Sequence, residues 1–117
     1  TQFGKPIVDF QAVQLRLAEM AMKVEASRLL IHKAVVNAQN GLPSVRDSSM
    51  AKCFATDTAM KVATDAVQLF GAAGISAEFP INRYFRDAKV LQIVEGTSNV
   101  QKIIISGMAC GFTPNRE

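Results

Sequence analysis

The stretch that decides the fold is "VRDSSMAKCFATDTAMKVATDAVQLF", from Val45 to Phe70. Its apolar residues recur every three or four positions, which is the period of an α-helix. One stripe is large and apolar, and a second consists of alanines spaced by four, where small side chains let another helix approach closely. The large stripe is Met50, Phe54, Val62, Ala66 and Phe70, and the small one is Ala51, Ala55, Ala59 and Ala63. The stretch therefore predicts one long helix with a close helical neighbour.

A second long helix is predicted before it, from about Phe10 to Asn40, with Asp9 as its N-cap, Gly41 at C′ and Pro43 preventing continuation. One apolar face follows helical spacing: Val13, Leu17, Met20, Val24, Ile31, Val35 and Ala38. Further apolar residues widen that face, so the helix is expected to be covered on more than one side: Leu15, Met22, Ala26, Leu29 and Leu30. Met20, Val24 and Phe54 are expected in the core.

Two shorter helices are predicted after the central stretch, which Gly71 and Gly74 terminate. Pro80 can open a helix that runs to about residue 94, and the last helix starts near Thr97 or Ser98. The run "IIIS" has no second strand to pair with. Four helices with short connections predict an all-α, antiparallel up-and-down four-helix bundle.

Length and composition set the class of protein. The chain has 117 residues and a net charge of +3, enough for one domain with a modest core. Its basic residues are scattered, which argues against nucleic-acid binding. No apolar run approaches the roughly 18 residues of a membrane span. Cys53 and Cys110 each lie among apolar neighbours, which predicts reduced, buried thiols and a reducing compartment. Because the chain opens at Thr1, we expect a piece of a longer protein.

The chain lacks the residues that most metal and catalytic sites require. The single histidine, His32, has Leu29 and not an acid three positions before it, so a di-metal carboxylate site is not expected. Neither cysteine has a histidine near it in sequence to activate it. Phosphate-loop and dinucleotide fingerprints need a strand before their glycines, and none is predicted.

Glu95 is the remaining candidate, in "LQIVEGTSNV" between an apolar run and the start of the last helix. Two interpretations stay open on spacing alone. The acid is either a favourable charge near a helix N-terminus, worth up to about 1 kcal/mol, or a base held in a fixed place.

Four segments together resemble the acyl-CoA dehydrogenases. "RDAKVLQIVEGTSNVQKIII", from Arg86 to Ile105, resembles the family's carboxy-terminal signature. "QFGKPIVDFQ" is similar to the loop entering its carboxy-terminal domain, "LAEMAMKVEASR" to the first helix there, and "TDAVQLFGAAG" to the helix and turn before the signature. The resemblance covers nearly the whole chain in order. It implies that residues 1–117 form the carboxy-terminal four-helix domain, which follows a helical and a β-domain in the family.

The resemblance also implies a function. Glu95 matches the catalytic base of a FAD-dependent α,β-dehydrogenation of acyl-CoA thioesters, in which FAD accepts the β-hydrogen as hydride. Gly96 matches a position where the substrate passes close to the backbone. A glutamate at this position implies the straight short- or medium-chain type, and it leaves the substrate open. Arg86 and Asp87 belong to the signature, either as an ion pair or as ligands.

Three sets of residues match cofactor positions in the family. Thr97, Ser98 and Asn99 match the flavin nucleotide site, where Asn99 replaces a longer glutamine. Gln68, Leu69, Phe70, Gly71 and Ala72 match a stretch that touches the FAD of the neighbouring subunit, although Ala72 and Ala73 depart from the family's usual residues. Gln2, Phe3 and Gln11 match the region that faces the partner's FAD, and the arginine expected just before it is absent from the chain.

The resemblance further implies electron-transfer flavoprotein as electron acceptor, a homo-oligomer that is a dimer of dimers, and a mitochondrial matrix or bacterial cytoplasmic location. The chain alone is expected to hold no flavin and to be inactive. The alternative hypothesis is a stand-alone helical bundle used for oligomerisation or protein interaction without catalysis.

Overall fold

The predicted central helix, α2, spans Val45–Phe70 in the computed structural model, which describes residues 1–111. The other helices are α1 (Gln11–Gln39), α3 (Pro80–Ile93) and α4 (Ser98–Cys110). Short 3₁₀ turns lie at Ile7–Asp9 and Gly71–Gly74. Residues 1–111 contain no strand beyond an isolated bridge between Gln2 and Lys5. The prediction of an all-α protein with four helices is confirmed.

The helix ends are set by local chemistry that the sequence displays. After α1, the N–H of Leu42 donates to the Asn37 carbonyl at 2.8 Å across Gly41, whose φ is +74°, so the helix ends in a Schellman motif. The Ser44 hydroxyl caps α2 by accepting from the backbone N–H of Asp47. Pro80 occupies the first turn of α3, where its missing N–H costs no hydrogen bond.

Asp9 is not the N-cap of α1, contrary to prediction. The cap residue is Phe10, and no side chain caps this end. Asp9 instead belongs to a 3₁₀ turn, in which its N–H donates to the Pro6 carbonyl at 3.1 Å. The helix starts one residue later than the prediction requires, and the aspartate is left exposed on the preceding turn.

α1 runs antiparallel to α2. Near the end of α1, Lys33 and Asn37 donate to the carboxylate of Asp47 in the first turn of α2. Lys23, which is earlier in α1, lines a groove together with Lys61, which is in the C-terminal half of α2.

α3 and α4 follow one another along α2. Phe85 of α3 lies beside Val67, and Gln92, near the end of α3, reaches Asp57 in the middle of α2. α4 continues from there toward the N-terminal end of α2 and brings Ile104 into a groove with Ser48. Each of the three neighbours is thus antiparallel to α2, and α4 runs in the same direction as α3. This order differs from the predicted up-and-down arrangement, in which consecutive helices alternate in direction, because the connector after α3 carries the chain onward along α2 and does not reverse it. The connector between them, residues 94–97, lies over the N-terminal half of α2.

The core contains small and polar side chains. Within residues 1–111 no large side chain is fully buried. Ala51, Ala63 and Ala88 are buried, which confirms that the alanine stripe of α2 faces neighbouring helices. The other buried residues are Ser27, Ser49, Cys53, Thr58, Gly74 and Gln101. Close backbone packing rather than a large apolar cluster therefore joins these helices.

The prediction that large apolar side chains form the core is wrong in part. Val24 and Phe54 are each 41% exposed, and Met20 is only partly buried. Helix α1 is apolar on almost every side, so periodicity could not select its inner face. That face is centred on Ser27 and consists of Val13, Met20, Lys23, Ala26, Ser27, Leu30, Ala34 and Asn37. No helix within these described residues is long and apolar enough to cross a membrane.

The two cysteines differ from each other. Cys53 is buried and free, as predicted, and burial, followed by the neighbouring Asp57 carboxylate, raises the pKa of its thiol. Cys110 is exposed at the end of α4, so the prediction of a buried thiol is wrong there. His32 lies exposed on α1, and residues 1–111 contain no group of three side chains suited to a metal ion.

Candidate active site

The connector between α3 and α4 has an unusual backbone. Val94 is extended, and then Glu95 and Gly96 both have positive φ, +56° and +87°. Among residues 1–111, only Phe3 and Glu95 are non-glycine residues in this left-handed region. For a side chain with a Cβ this conformation costs about 1–2 kcal/mol. Backbone strain of this kind is concentrated at functional sites, where surrounding contacts maintain it.

Side chains from two other elements maintain the connector. The ammonium of Lys52, on α2, donates to the Gly96 carbonyl at 2.6 Å, and the Gln101 amide, on α4, donates to the Glu95 carbonyl at 3.2 Å. A Cβ at position 96 would lie 2.7 Å from the Gln101 amide nitrogen, so this close approach requires glycine. The Glu95 side chain is exposed and borders a groove of about 530 Å³ between the start of α2 and α4.

Thr97 and Ser98 use their hydroxyls inside the domain. The Thr97 hydroxyl caps α4 by accepting from the N–H of Val100. The Ser98 hydroxyl donates to the Asp57 carboxylate at 2.7 Å. Asn99 is exposed, and its side chain makes no hydrogen bond within residues 1–111. Of these three predicted flavin ligands, Asn99 alone has a side chain that is not already used.

Asp57 joins three helices below the connector. Its carboxylate accepts hydrogen bonds from Gln92 of α3 and Ser98 of α4, each at 2.7 Å, and it pairs with Lys102 at 3.5 Å. Burial raises the pKa of Asp57, but the hydrogen bonds from Ser98 and Gln92 and the charge of Lys102 together outweigh it, and the pKa lies below its ordinary value. The charged carboxylate therefore fixes the start of α4 against α2.

A polar groove opens above this network. It has a volume of about 340 Å³ and is lined at the α4 end by Thr97, Ser98 and Asn99, with Lys89 and Lys102 at its sides. Hydroxyl, amide and ammonium groups of this kind suit the oxygen-rich edge of a nucleotide.

The remaining predicted residues form a second cluster at the other end of α2. Gln2 and Phe3 share a groove of about 380 Å³ with Gln68, Leu69 and Arg16. Next to them, Phe70 is half exposed and packs edge-on against Phe79, with ring centroids 6.1 Å apart. Gly71, with φ +61°, ends α2, and Ala72 is exposed in the following turn. Gln11 is exposed in the first turn of α1 and does not line this groove.

The two clusters do not meet within one chain. Lys52, beside Glu95, and Gln68 lie about 24 Å apart along α2 at about 1.5 Å per residue. The described residues therefore contain two half-sites, one around Glu95 and one around Phe3 and Gln68.

Two residues that maintain the connector, Lys52 and Gln101, were not predicted from the sequence. Lys52 is 44 residues before Gly96, and no local pattern links the two. Gln101, six residues after Glu95, looked like an ordinary polar residue of α4. An ion pair and a ligand role were both open for Arg86 and Asp87; within residues 1–111 neither residue forms an ion pair, and the Arg86 guanidinium donates to Asn82, one helical turn earlier.

The family model described as "Acyl-CoA dehydrogenase, C-terminal domain" matches residues 1–109. A probable acyl-CoA dehydrogenase of Mycobacterium tuberculosis, FadE25, is 55% identical over 106 residues, which are 90% of this chain and 27% of the relative. The chain thus spans about a quarter to a third of the length of the curated relatives it matches.

Two solved structures have the same fold. The butyryl-CoA dehydrogenase of Megasphaera elsdenii superposes with a TM-score of 0.91 at 46% identity, over 94% of this chain and 29% of that one. A structure described as the electron transferring flavoprotein of Acidaminococcus fermentans also gives 0.91, at 44% identity, over all of this chain and 30% of that one.

Proposed function

The chain belongs to the acyl-CoA dehydrogenase family, and we propose that it supplies the catalytic base and part of the FAD site for α,β-dehydrogenation of acyl-CoA thioesters. In this proposal residues 1–117 act as the carboxy-terminal domain of a longer chain. The observation that carries it is the connector of residues 94–97, where Glu95 adopts a strained conformation maintained by contacts from two helices.

Glu95 removes the α-proton of the thioester. That proton is weakly acidic, so the base must be placed within hydrogen-bond distance of it and shielded from water. The connector supplies the placement, because the Glu95 and Gly96 carbonyls are held by donors from α4 and α2. It does not supply the shielding, because the Glu95 side chain is exposed in this domain. The rest of the enzyme and the bound substrate must cover it.

FAD accepts the β-hydrogen as hydride when it is bound, and the members of this family are flavoproteins. The described residues fit such a group in two places. Asn99 and the start of α4 offer polar contacts in the groove beside the connector. Gln2, Phe3 and Gln68 offer amide groups and an aromatic face in the groove at the other end of α2. Asp57 lines the first groove and Gln68 the second, about 17 Å apart along α2. In this proposal the two grooves serve two different flavins, the second one belonging to a partner subunit.

The surface of α1 supports a homo-oligomer, proposed here as a dimer of dimers. An outer stripe repeats every seven residues, and each of its large apolar side chains is at least half exposed: Leu15, Met22, Leu29 and Val36. A helix that is apolar on all sides is normally buried, and α2 covers only one of those sides. A second copy of the domain would cover the stripe, and the same association would bring a partner's flavin to Gln68.

The proposed substrate is a short, straight-chain acyl-CoA, and the proposed electron acceptor is an electron-transfer flavoprotein. A curated relative from Megasphaera elsdenii is called short-chain specific, and the superposed enzyme from that organism acts on butyryl-CoA. The description of the Acidaminococcus structure names an electron transferring flavoprotein, which supports this acceptor.

The exposed stripe on α1 also favours a second candidate function, a helical bundle that serves only self-association. Self-association alone does not require a glutamate in a strained, left-handed backbone conformation. Replacing Glu95 therefore separates the two candidates.

The test is Glu95→Gln in the complete, flavin-loaded enzyme mixed with butyryl-CoA. Loss of visible flavin absorbance reports reduction, and titration reports substrate binding. We expect kcat to fall by at least about 10²–10⁴-fold while acyl-CoA still binds. Glu78→Gln is the matched control, because Glu78 is exposed in the turn before α3 and far from the connector. Near-normal turnover in Glu95→Gln would show that another group is the base.

A further inference from the structure

We infer that Lys52 and Gln101 are positioning residues for Glu95, acting through the backbone carbonyls of residues 95 and 96. This inference rests on the proposed function, since it assumes that Glu95 is the base. Neither side chain needs to touch the substrate for the effect.

The first step is geometric. The direction in which the Glu95 side chain leaves the backbone depends on how the peptide planes around it are held. Gln101 holds the carbonyl of the plane between residues 95 and 96, and Lys52 holds that of the next plane, between 96 and 97, at 3.2 and 2.6 Å. These contacts fix the backbone after Glu95, and the end of α3, where the Val94 N–H donates to the Val90 carbonyl at 3.0 Å, limits its rotation from the other side.

The second step concerns the strength of the two contacts. The Lys52 contact is a charge-assisted hydrogen bond, which is stronger than a neutral one, and its nitrogen is partly buried. Gln101 is a buried polar residue at 9% exposure, and its amide is aimed at the connector. Both donors also come from helices: Lys52 lies in the N-terminal half of α2, and Gln101 lies in the second turn of α4. The connector is therefore held by rigid elements on two sides.

The third step links direction to rate. A catalytic group has to be held within about 0.5 Å and 10–20° of its working geometry. A left-handed glutamate relaxes toward other backbone conformations once its restraints are removed. Loss of either donor should then move the carboxylate away from the α-proton without removing it.

The experiment uses rapid mixing of the complete, flavin-loaded enzyme with saturating butyryl-CoA, and it follows the rate of flavin reduction. Lys52→Met keeps the length of the side chain and removes the donor. We expect its reduction rate to fall about tenfold to a hundredfold, with the KM for butyryl-CoA and the flavin content unchanged. Lys52→Arg, which keeps a charged donor, should recover most of the rate.

Lys61→Met is the matched control. Lys61 is on the same helix, is exposed and pairs with Asp65, away from the connector. Its reduction rate should equal that of the unmodified enzyme. A lower rate in both lysine variants, or no rescue by Lys52→Arg, would overturn the inference, because the effect would then be a general one on α2.

Gln101→Met removes the second donor. If Lys52→Met does not retain its flavin, Gln101→Met still tests the inference. It should lower the reduction rate at unchanged KM. If both variants lose the flavin, the two donors maintain the fold and do not position the base. Glu95→Gln in the same assay distinguishes the two failures. If Glu95→Gln is inactive and Lys52→Met is normal, only this inference fails, and if Glu95→Gln is active, the proposed function fails.

Discussion

Two turns of this domain have the same local conformation and are stabilised differently. In each, a non-glycine residue with positive φ precedes a glycine: Phe3 and Gly4 near the start, and Glu95 and Gly96 between α3 and α4. The first turn is closed by its own backbone, since Gln2 and Lys5 exchange hydrogen bonds of 2.9 and 3.2 Å.

The second turn has no such closure and depends on donors from two helices. A turn closed by hydrogen bonds of its own backbone can form whatever the conformation of the rest of the chain. A turn held by distant side chains forms only in the folded domain. Phe3 is 92% exposed, so the first turn presents this residue at the surface of the domain. The second turn presents a residue whose direction the domain itself determines.

The largest expected effect is on flavin binding and activity, and it tests whether the two turns belong to two different flavin sites. We expect residues 1–117 alone to retain no flavin and to turn over no acyl-CoA, because in the proposed arrangement each turn contributes to a different flavin and neither partial site offsets the ordering cost of binding. The measurement is visible absorbance after gel filtration with excess FAD. A retained species with one flavin per chain would show that one half-site is sufficient.

The next effect compares the two glycines. Gly96→Ala should destabilise the domain by about 2–4 kcal/mol, because it adds left-handed strain and displaces the buried Gln101 amide. Gly4→Ala adds strain alone, about 1 kcal/mol, since nothing lies within 4 Å of the new Cβ. Denaturant titration measures both. Equal losses would mean that Gln101 does not hold the second turn.

This comparison also explains what the sequence predicted. Helix ends depend on neighbouring residues, so Gly41, Pro80 and Thr97 were found from local chemistry, and α2 was predicted at the bounds it has. The position of Glu95 at the start of α4 was found in the same way. Its strain was not, because a positive φ at a glutamate has no signature in the surrounding residues.

Burial was harder to predict than helix ends. Val24 and Phe54 have the spacing of core residues and are exposed in this domain. Periodicity identifies an apolar face, but it cannot tell whether that face meets the same chain or another one. The contact between Lys52 and Gly96 was missed for a related reason, since it is produced by the packing of α2 against the connector and not by the sequence near either residue.

A third prediction uses pH to test how α4, which follows the second turn, is fixed to α2. The folded pKa of Asp57 lies below its ordinary value of 3.8, so its contribution to stability is present above about pH 4 and is lost as the pH falls through the folded pKa. Asp57→Asn should cost about 1 kcal/mol at pH 7, given that the carboxylate is partly exposed.

Below about pH 4 the cost of Asp57→Asn should shrink as the native carboxyl becomes protonated. Asp47 also has a lowered pKa, from its hydrogen bonds to Lys33 and Asn37, and it remains in both proteins. The difference between the two stability curves therefore reports Asp57 alone. A difference that is constant from pH 7 to pH 3 would mean that the charge of Asp57 does not hold α4.

The smallest expected effect is at the first turn. Phe3→Gly relieves about 1 kcal/mol of left-handed strain, and it loses the edge-on contact with Phe10, whose ring centroid is 6.3 Å away. That contact is worth about 0.5–1.5 kcal/mol, and the added freedom of glycine in the unfolded chain costs roughly 0.5–1 kcal/mol. The terms nearly cancel, so denaturant titration should show a change within about 1 kcal/mol. A loss above about 2 kcal/mol would show that the first turn, like the second, depends on contacts with the rest of the domain.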